Sequence, residues 1–404
     1  MSTLEVLLPY RQRSEEIVNH IQTGLVICLR TLPAVSFRSR RNFSSQTTLA
    51  TTTSIQNLTT ATVSFRQLLD RFQEKPCLLQ KETLATPISF DLSVTPPEME
   101  NISNEYPQLQ AGGLYLGPKF CKPRQSVAII IPYRDRETHL RLWLHYTLGT
   151  LIMQQLYFTV FVVEQEATGV FNKGQLMNTA FNWVTTYSGH KFDCFIFHDV
   201  DMIPEVPGNF YQCPKGKAIA HLSPFIDKFN YTYNVKIGIT VGGVVAFREW
   251  QYRAVNGYSN VYWGWGGEDD DMNVRIKLSG LKRVRPTWWY GRYTMIRHPH
   301  DTGNPINTIR HKLLKAAPER MAVDGLSDLD TVVDRVTYLP THTHIMVRLK
   351  PQKDVNNTTP LPENPVGVGL EAVPEKPFKK SVKLPPVQIN KIKKNSGNAV
   401  RPPG

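Results

Sequence analysis

Two hydrophobic periods alternate along the centre of the chain. "SVAIII" (126–131) is an unbroken apolar run closed by Pro132, the pattern of a strand buried on both faces. Residues 137–152 then carry apolar positions at helical spacing. "YFTVFVVEQ" (157–165) is rich in β-branched and aromatic residues, and 174–187 return to a helical pattern. "CFIF" (194–197) reads as a second short buried strand, and "ITVGGVVAF" (239–247) as a strand containing a glycine pair. Helices are expected over 248–256 and 269–278. This alternation predicts an α/β domain with a largely parallel central sheet flanked by helices. In such sheets ligands collect beyond the carboxyl ends of the strands.

The flanks have another character. Residues 39–65 are crowded with Ser and Thr, and from Lys350 the chain is rich in Pro, Lys and Asn without periodicity. Neither composition buries a core. The expected division is therefore an N-terminal segment and stalk (1–76), a catalytic-type domain (77–349) and a disordered tail (350–404). Formal charge is +13 over 404 residues, but the three parts carry +4, +3 and +6. The excess lies in the flanks, and no aromatic-basic motif accompanies it, so a nucleic-acid partner is not expected. The best membrane candidate, 24–37, is shorter than the roughly 20 apolar residues of a span and carries Arg30. It also lacks the form of a cleavable signal.

Five cysteines (Cys28, Cys77, Cys121, Cys194, Cys213) show no CxxC pair and leave room for two disulfides and one free thiol. Six Asn-x-Ser/Thr sequons, at Asn42, Asn57, Asn101, Asn230, Asn356 and Asn357, fit a lumenal or secreted chain.

Four stretches carry chemistry. After the strand "CFIF" comes "HDVDMIP", placing Asp199 and Asp201 where a ligand is expected; Asp-x-Asp there holds a divalent cation on a diphosphate, though the pair is also common in plain turns. "WGWGGEDDD" puts Glu268, Asp269, Asp270 and Asp271 behind a glycine-rich turn. Two carboxylates about 4 Å apart repel by roughly 4 kcal/mol near a protein surface. A helix N-terminus returns only about 0.3–1 kcal/mol per group, so solvent or a polar ligand must supply the rest. One such carboxylate against a ligand hydroxyl is a general base, and Trp263 and Trp265 offer flat faces to a sugar. In "YTMIRHPHD", Met295 and His298 stand three apart, a spacing open to a shared metal, although on its own the pair reads more readily as a satisfied histidine and a core methionine. In "IIIPYRDR", Arg134 and Arg136 follow the first strand, placed for a phosphate or a base edge, a pattern that a plain solvated turn fits equally well.

Taken with "FNKGQLMNTAF", and in this order and spacing, these segments resemble the β-1,4-galactosyltransferase family, inverting Golgi glycosyltransferases of the GT-A fold, from about Cys77 to Leu349. The resemblance implies Mn²⁺ held by Asp201, Met295 and His298, and UDP-galactose bound by Arg134, Arg136, Phe171, Lys173, Asp199, Val200 and Trp265. It implies Asp269 as base with Glu268 beside it, and an acceptor with terminal GlcNAc met by Asp270, Trp265, Arg310 and His311. Residues 296–316 would form the long loop closing over donor. Disulfides Cys77–Cys121 and Cys194–Cys213 are implied too, as is a Golgi-lumenal type II membrane protein. The family's N-terminal anchor is weak or missing in this sequence, which leaves a secreted product or a misplaced start open.

Several positions depart from the family pattern. Lys173 stands where an arginine is common. Thr240 stands where a tyrosine borders the donor sugar, which admits UDP-GalNAc as an alternative donor. His311 falls where a phenylalanine lines the acceptor's N-acetyl pocket. A catalytically idle sugar-binding protein on the same fold is the competing reading from another class.

Overall fold

A computed structural model describes residues 75–79, 84–93, 95–167, 169–232, 240–298 and 303–349. The expected stalk and tail, Cys28, the 24–37 segment, four of the sequons and Ile239 lie outside the described residues.

In chain order the elements are α1 (Met99–Glu105), β1 (Ser126–Tyr133), α2 (Glu137–Met153), β2 (Tyr157–Gln165), α3 (Lys173–Tyr187), β3 (Cys194–His198), β4 (Met202–Pro204), β5 (Ala218–His221) and β6 (Phe225–Ile226). There follow β7 (Val244–Phe247), α4 (Glu249–Ala254), α5 (Glu268–Leu278), β8 (Lys282–Val284), β9 (Arg292–Met295), α6 (Arg310–Lys315), α7 (Ala317–Arg320), β10 (Thr331–Tyr338) and β11 (Thr343–Leu349). An eight-stranded sheet runs in the order β10-β11-β2-β1-β3-β7-β5-β8, and β4-β9-β6 form a small second sheet. The pairs β1–β2, β1–β3, β2–β11 and β5–β8 are parallel; β3–β7, β5–β7 and β10–β11 are antiparallel.

The central strands are apolar throughout because both faces are covered. Val127, Ile129 and Ile131 of β1 enter one core with Trp143, Leu144 and Leu148 of α2. Ala128 and Ile130 point the other way, into a second core with Leu176, Met177, Ala180 and Phe181 of α3. β2 and β3 divide in the same alternating manner.

Two boundaries differ from expectation. β1 continues through Pro132, which pairs with Val163. The pairing of β1 with β3 has already ended at Ile130↔Phe197, which frees one edge and makes a residue without an N–H tolerable. The expected strand 239–247 shrinks to Val244–Phe247, because Gly243 takes φ +86° and turns the chain out of the extended region just before it. The β10–β11 hairpin was not anticipated. The disulfides Cys77–Cys121 and Cys194–Cys213 both form, and the sequons within the described residues, Asn101 and Asn230, are exposed. Among the described residues no helix is long and apolar enough to cross a membrane.

Candidate active site

β3 ends at His198, and the chain turns through Asp199, Val200 and Asp201 into β4. The Asp199 amide donates to the Gly243 carbonyl (2.9 Å), and the Met202 amide to the Asp199 carbonyl (3.2 Å). Behind the turn His198 is buried between Trp143 and Tyr211, and burial lowers its pKa to about 4, so it is a neutral strut. The antiparallel register of β4 and β9 pairs Met202 with Met295, and the Ile296 amide reaches the Asp201 carbonyl (2.8 Å). Asp201, Met295 and His298 are thereby gathered, with Asp201 Oδ2 and His298 Nε2 3.5 Å apart. That spacing suits two ligands of one divalent ion, each about 2.0–2.2 Å from it. The carboxylate suits a Mn²⁺-class ion, and the imidazole and thioether add softer donors. Among the described residues no cluster of three or more His, Cys, Asp and Glu is placed to hold a metal, so Met295 is needed to complete a protein set of three.

A cavity of about 590 Å³ opens beside this trio, lined by Tyr133, Arg136, His139, Arg297 and His298 among others. Arg134 does not line it. Its buried guanidinium donates to the carbonyls of Gly169 (3.0 Å) and Gly303 (2.6 Å) and lies 5.2 Å from the Phe171 ring centre. It clasps the segment before α3 to the segment after residue 302.

α5 begins after Gly267 (φ +106°), and its four acidic residues are sent to three different places. Glu268 and Asp269 turn toward Lys173, the first residue of α3. Its ammonium lies 3.0 Å from Glu268 Oε1, 3.0 Å from both Asp269 oxygens and 3.4 Å from Asp199 Oδ1. Burial is the largest influence on Asp269 and raises it to about 7, against the opposing pull of Lys173; Glu268 and Asp199 push the same way as burial. Asp199 is likewise raised, to about 6. Glu268 Oε2 is buried without a hydrogen-bond partner, a demand that a ligand hydroxyl would meet. Asp270 faces outward, near Arg310 and His311, with a hydrogen bond from the Thr240 hydroxyl; burial and Glu268 raise its pKa against these pulls. Asp271 points into the interior and takes no part in the cleft.

The glycine pair has a steric role here. A Cβ on Gly242 would stand 2.5 Å from Asp269 Oδ2, so the absent side chain is where the carboxylate sits. Behind it, buried His221 holds the Gly242 carbonyl through Nε2 (2.9 Å) and accepts from Arg285 Nε (3.0 Å). Trp265 is 54% exposed, with Arg310 5.5 Å over its ring. Its backbone pairs with the long loop: Trp265 N donates to Pro305 O (2.8 Å) and Asn307 N to Trp265 O (3.0 Å). Val200 is buried within the turn. Residues 299–302 of the expected loop lie outside the described residues.

The expected metal residues thus meet at one place, the base and donor-side carboxylates at a second, and Asp270, Arg310 and His311 at a third. Sequence reasoning missed the approach of Gly242 to Asp269 and the backing by His221 and Arg285. For Lys173, which the resemblance implies as a donor contact, it did not foresee the three carboxylates the structure places around the ammonium. No local pattern signals these, since Lys173 and Asp269 are 96 residues apart.

Residues 77–214 match the model for the N-terminal region of glycosyl transferase group 7, and 220–299 that for the N-terminal domain of galactosyltransferase. The chain is 38% identical over 253 residues to β-1,4-galactosyltransferase 2 of Cricetulus griseus, an alignment covering 63% of this chain and 67% of that one. It is 37% identical over 254 residues to β-1,4-galactosyltransferase 3 of Bos taurus, covering 63% and 62%. Among solved structures, a Drosophila β-1,4-galactosyltransferase 7 variant in complex with manganese, UDP-Gal and xylobiose is 26% identical, covering 58% of this chain and 97% of that one, with a TM-score of 0.48.

Proposed function

This chain belongs to the β-1,4-galactosyltransferase family and is a galactosyltransferase, and we propose that it transfers galactose from UDP-galactose, with inversion and Mn²⁺ dependence, to the 4-hydroxyl of terminal GlcNAc on glycoprotein or glycolipid glycans. The observation that carries this reading is the placement of Asp269, with Glu268 and Lys173, beyond the carboxyl end of β3 alongside the Asp201–His298 pair.

Asp201, Met295 and His298 would hold Mn²⁺, which when bound supplies positive charge to the departing diphosphate. Glu268, through its unpartnered oxygen, holds a donor hydroxyl. Asp270, with Arg310, His311 and Trp265, orients the acceptor. Asp269 takes the proton of the acceptor 4-hydroxyl as its oxygen bonds to the anomeric carbon. The bond from that carbon to the diphosphate oxygen breaks, and its electron pair leaves with UDP. A positioned base is worth about 10²–10⁴-fold; orientation of the two substrates provides much of the remainder. We place the enzyme in the Golgi lumen, a reading supported by the two disulfides and the exposed sequons.

Thr240 favours a second donor. It is short, and it is tied to the Gly242 amide (3.2 Å) and to Asp270, which leaves space beside the donor sugar for the N-acetyl group of UDP-GalNAc. The test is transfer to a GlcNAc-terminated acceptor with Mn²⁺, comparing the two donors, with Asp269→Asn as control and Thr240→Tyr as probe. Transfer from UDP-galactose that vanishes in Asp269→Asn supports the main reading. Preference for UDP-GalNAc, reversed by Thr240→Tyr, renames the donor and keeps the mechanism. Binding of GlcNAc with no turnover from either donor refutes both.

A further inference from the structure

Lys173 is the cation closest to the reacting groups that the reaction scheme does not use. Its side chain is 14% exposed, and three carboxylates from two parts of the fold converge on it: Asp199 beyond β3, and Glu268 and Asp269 at the start of α5. An ammonium carries three N–H bonds in a tetrahedral array and no acceptor, so it divides itself among three anions. A guanidinium is a flat fork suited to one carboxylate at a time. Of the three, Asp269 alone presents both oxygens to the ammonium, each at 3.0 Å.

The other charged groups facing Asp269 work against its ionised form. Glu268 on its own helix and Asp199 across the cleft are negative, Tyr258 is buried beside it, and the backbone of Gly242 closes the remaining side. A protonated Asp269 cannot accept a proton.

We propose that Lys173 is the positioning cation of the base: it keeps the Asp269 carboxylate ionised and oriented in the donor-free site, instead of meeting the uridine end of the donor. The inference rests on the reading of Asp269 as the base. It also explains how Asp269 gives up its charge during transfer without leaving a bare ammonium in a buried cleft. Once Asp269 holds the proton, Lys173 still has Glu268 and Asp199 as partners.

Two measurements test it on the whole protein. One is the pH dependence of kcat/KM in wild type, Lys173→Met, Lys173→Arg and Glu268→Gln. The other needs no substrate: carboxyl ¹³C NMR of aspartate-labelled, donor-free protein, with Asp269→Asn identifying the resonance. Removing a cation in contact with a carboxylate raises its pKa by about 1–3 units. In Lys173→Met both the NMR midpoint and the acid limb of the rate profile are expected to move up by that amount. Lys173→Arg should return the midpoint close to wild type. Glu268→Gln should move it down, and this arm carries the test if Lys173→Met does not fold. An Asp269 midpoint unmoved in Lys173→Met, with only the KM for UDP-galactose raised, overturns the proposal and makes Lys173 a donor contact. Absence of transfer by wild type would sink the reading of function and leave the NMR titration to decide the role of Lys173.

Discussion

Asp271 and Arg275, one helical turn apart in α5, face each other with no solvent contact, Nε to Oδ1 2.5 Å. Arg275 continues to the Asp324 carboxylate (3.1 Å), and Arg320 reaches both Asp271 (2.9 Å) and Asp324 (2.7 Å). The Tyr262 hydroxyl adds a bond to Asp271 (3.0 Å). Two acids and two arginines cancel inside the protein, directly beneath the helix start that carries Glu268 and Asp269. The repulsion among the four consecutive carboxylates is relieved by sending them apart: two to Lys173, one outward, one into this network.

Breaking the network from one side should therefore be costly. Removal of one partner of a buried ion pair typically destabilises by about 3–5 kcal/mol. Arg275→Met is expected to lower the unfolding free energy, read from denaturant curves, by an amount in that range. A loss well under 1 kcal/mol would mean the pair is not the foundation of α5.

Gly242→Ala should separate activity from folding. The new methyl group would stand 2.5 Å from Asp269 Oδ2 and 3.1 Å from its Cγ, so the carboxylate must move. Misplacement of a reacting group by about 1 Å costs on the order of 10²-fold in rate. We expect kcat to fall by about that factor while the melting temperature changes little. Full activity in the alanine variant would show that Asp269 need not occupy this position.

The raised pKa of Asp269 has opposite consequences for rate and for stability. Transfer needs the ionised form, so kcat/KM should rise with pH and level off above about 7. Stability runs the other way. A carboxyl raised in the folded state contributes fully below its ordinary value near 3.8, and the contribution is lost as pH climbs to about 7. Asp269→Asn should consequently be more stable than wild type at pH 8 but not at pH 4, as read from unfolding curves at the two pH values. Equal differences at both would contradict the assignment.

His298→Ala should weaken Mn²⁺ binding without unfolding the protein, since His298 lies on the β9 exit and not in either core. Loss of even an outer-shell partner typically costs 10–100-fold in metal affinity, so a ligand should cost at least about that. Titration followed by the EPR signal of free Mn²⁺, with UDP present, reads the effect directly. Unchanged affinity would remove His298 from the metal set.

The parts of the fold that sequence exposes are those with one environment per stretch. β1, β2 and β3 are apolar on both faces and announce themselves, as do α2 and α3 that cover them. β10 alternates between half-buried and exposed positions at the sheet edge, and its signal drowns among loop residues. In the site, the residues in compact motifs (Asp199, Asp201, Glu268, Asp269, Met295, His298) were legible because each motif folds onto one turn. Lys173 was legible as a residue but not as a neighbour, since a long flexible side chain finds its partner through tertiary packing. Asp271 looked like the other three acids. Only its spacing of four to Arg275 hinted at a partner, and nothing local told that both would be buried.

The stretch 303–307 meets Phe171, Trp265 and Arg134 through its peptide groups. Phe171 donates to Gly303, Trp265 to Pro305 and Asn307 to Trp265, while Arg134 grips the Gly303 carbonyl. None of these bonds consults the side chains of residues 303–307. Pro305 and Ile306, exposed and held by their backbones, can change their side chains and remain docked, whereas buried Asn307 is fixed by the bond its Oδ1 accepts from the Ile309 amide (3.1 Å). Mutational drift along this stretch, and at exposed His311 beyond it, is thus decoupled from the integrity of the metal and base positions. If the proposed acceptor role of this rim holds, its exposed side chains are open to change while the backbone that carries them stays in place.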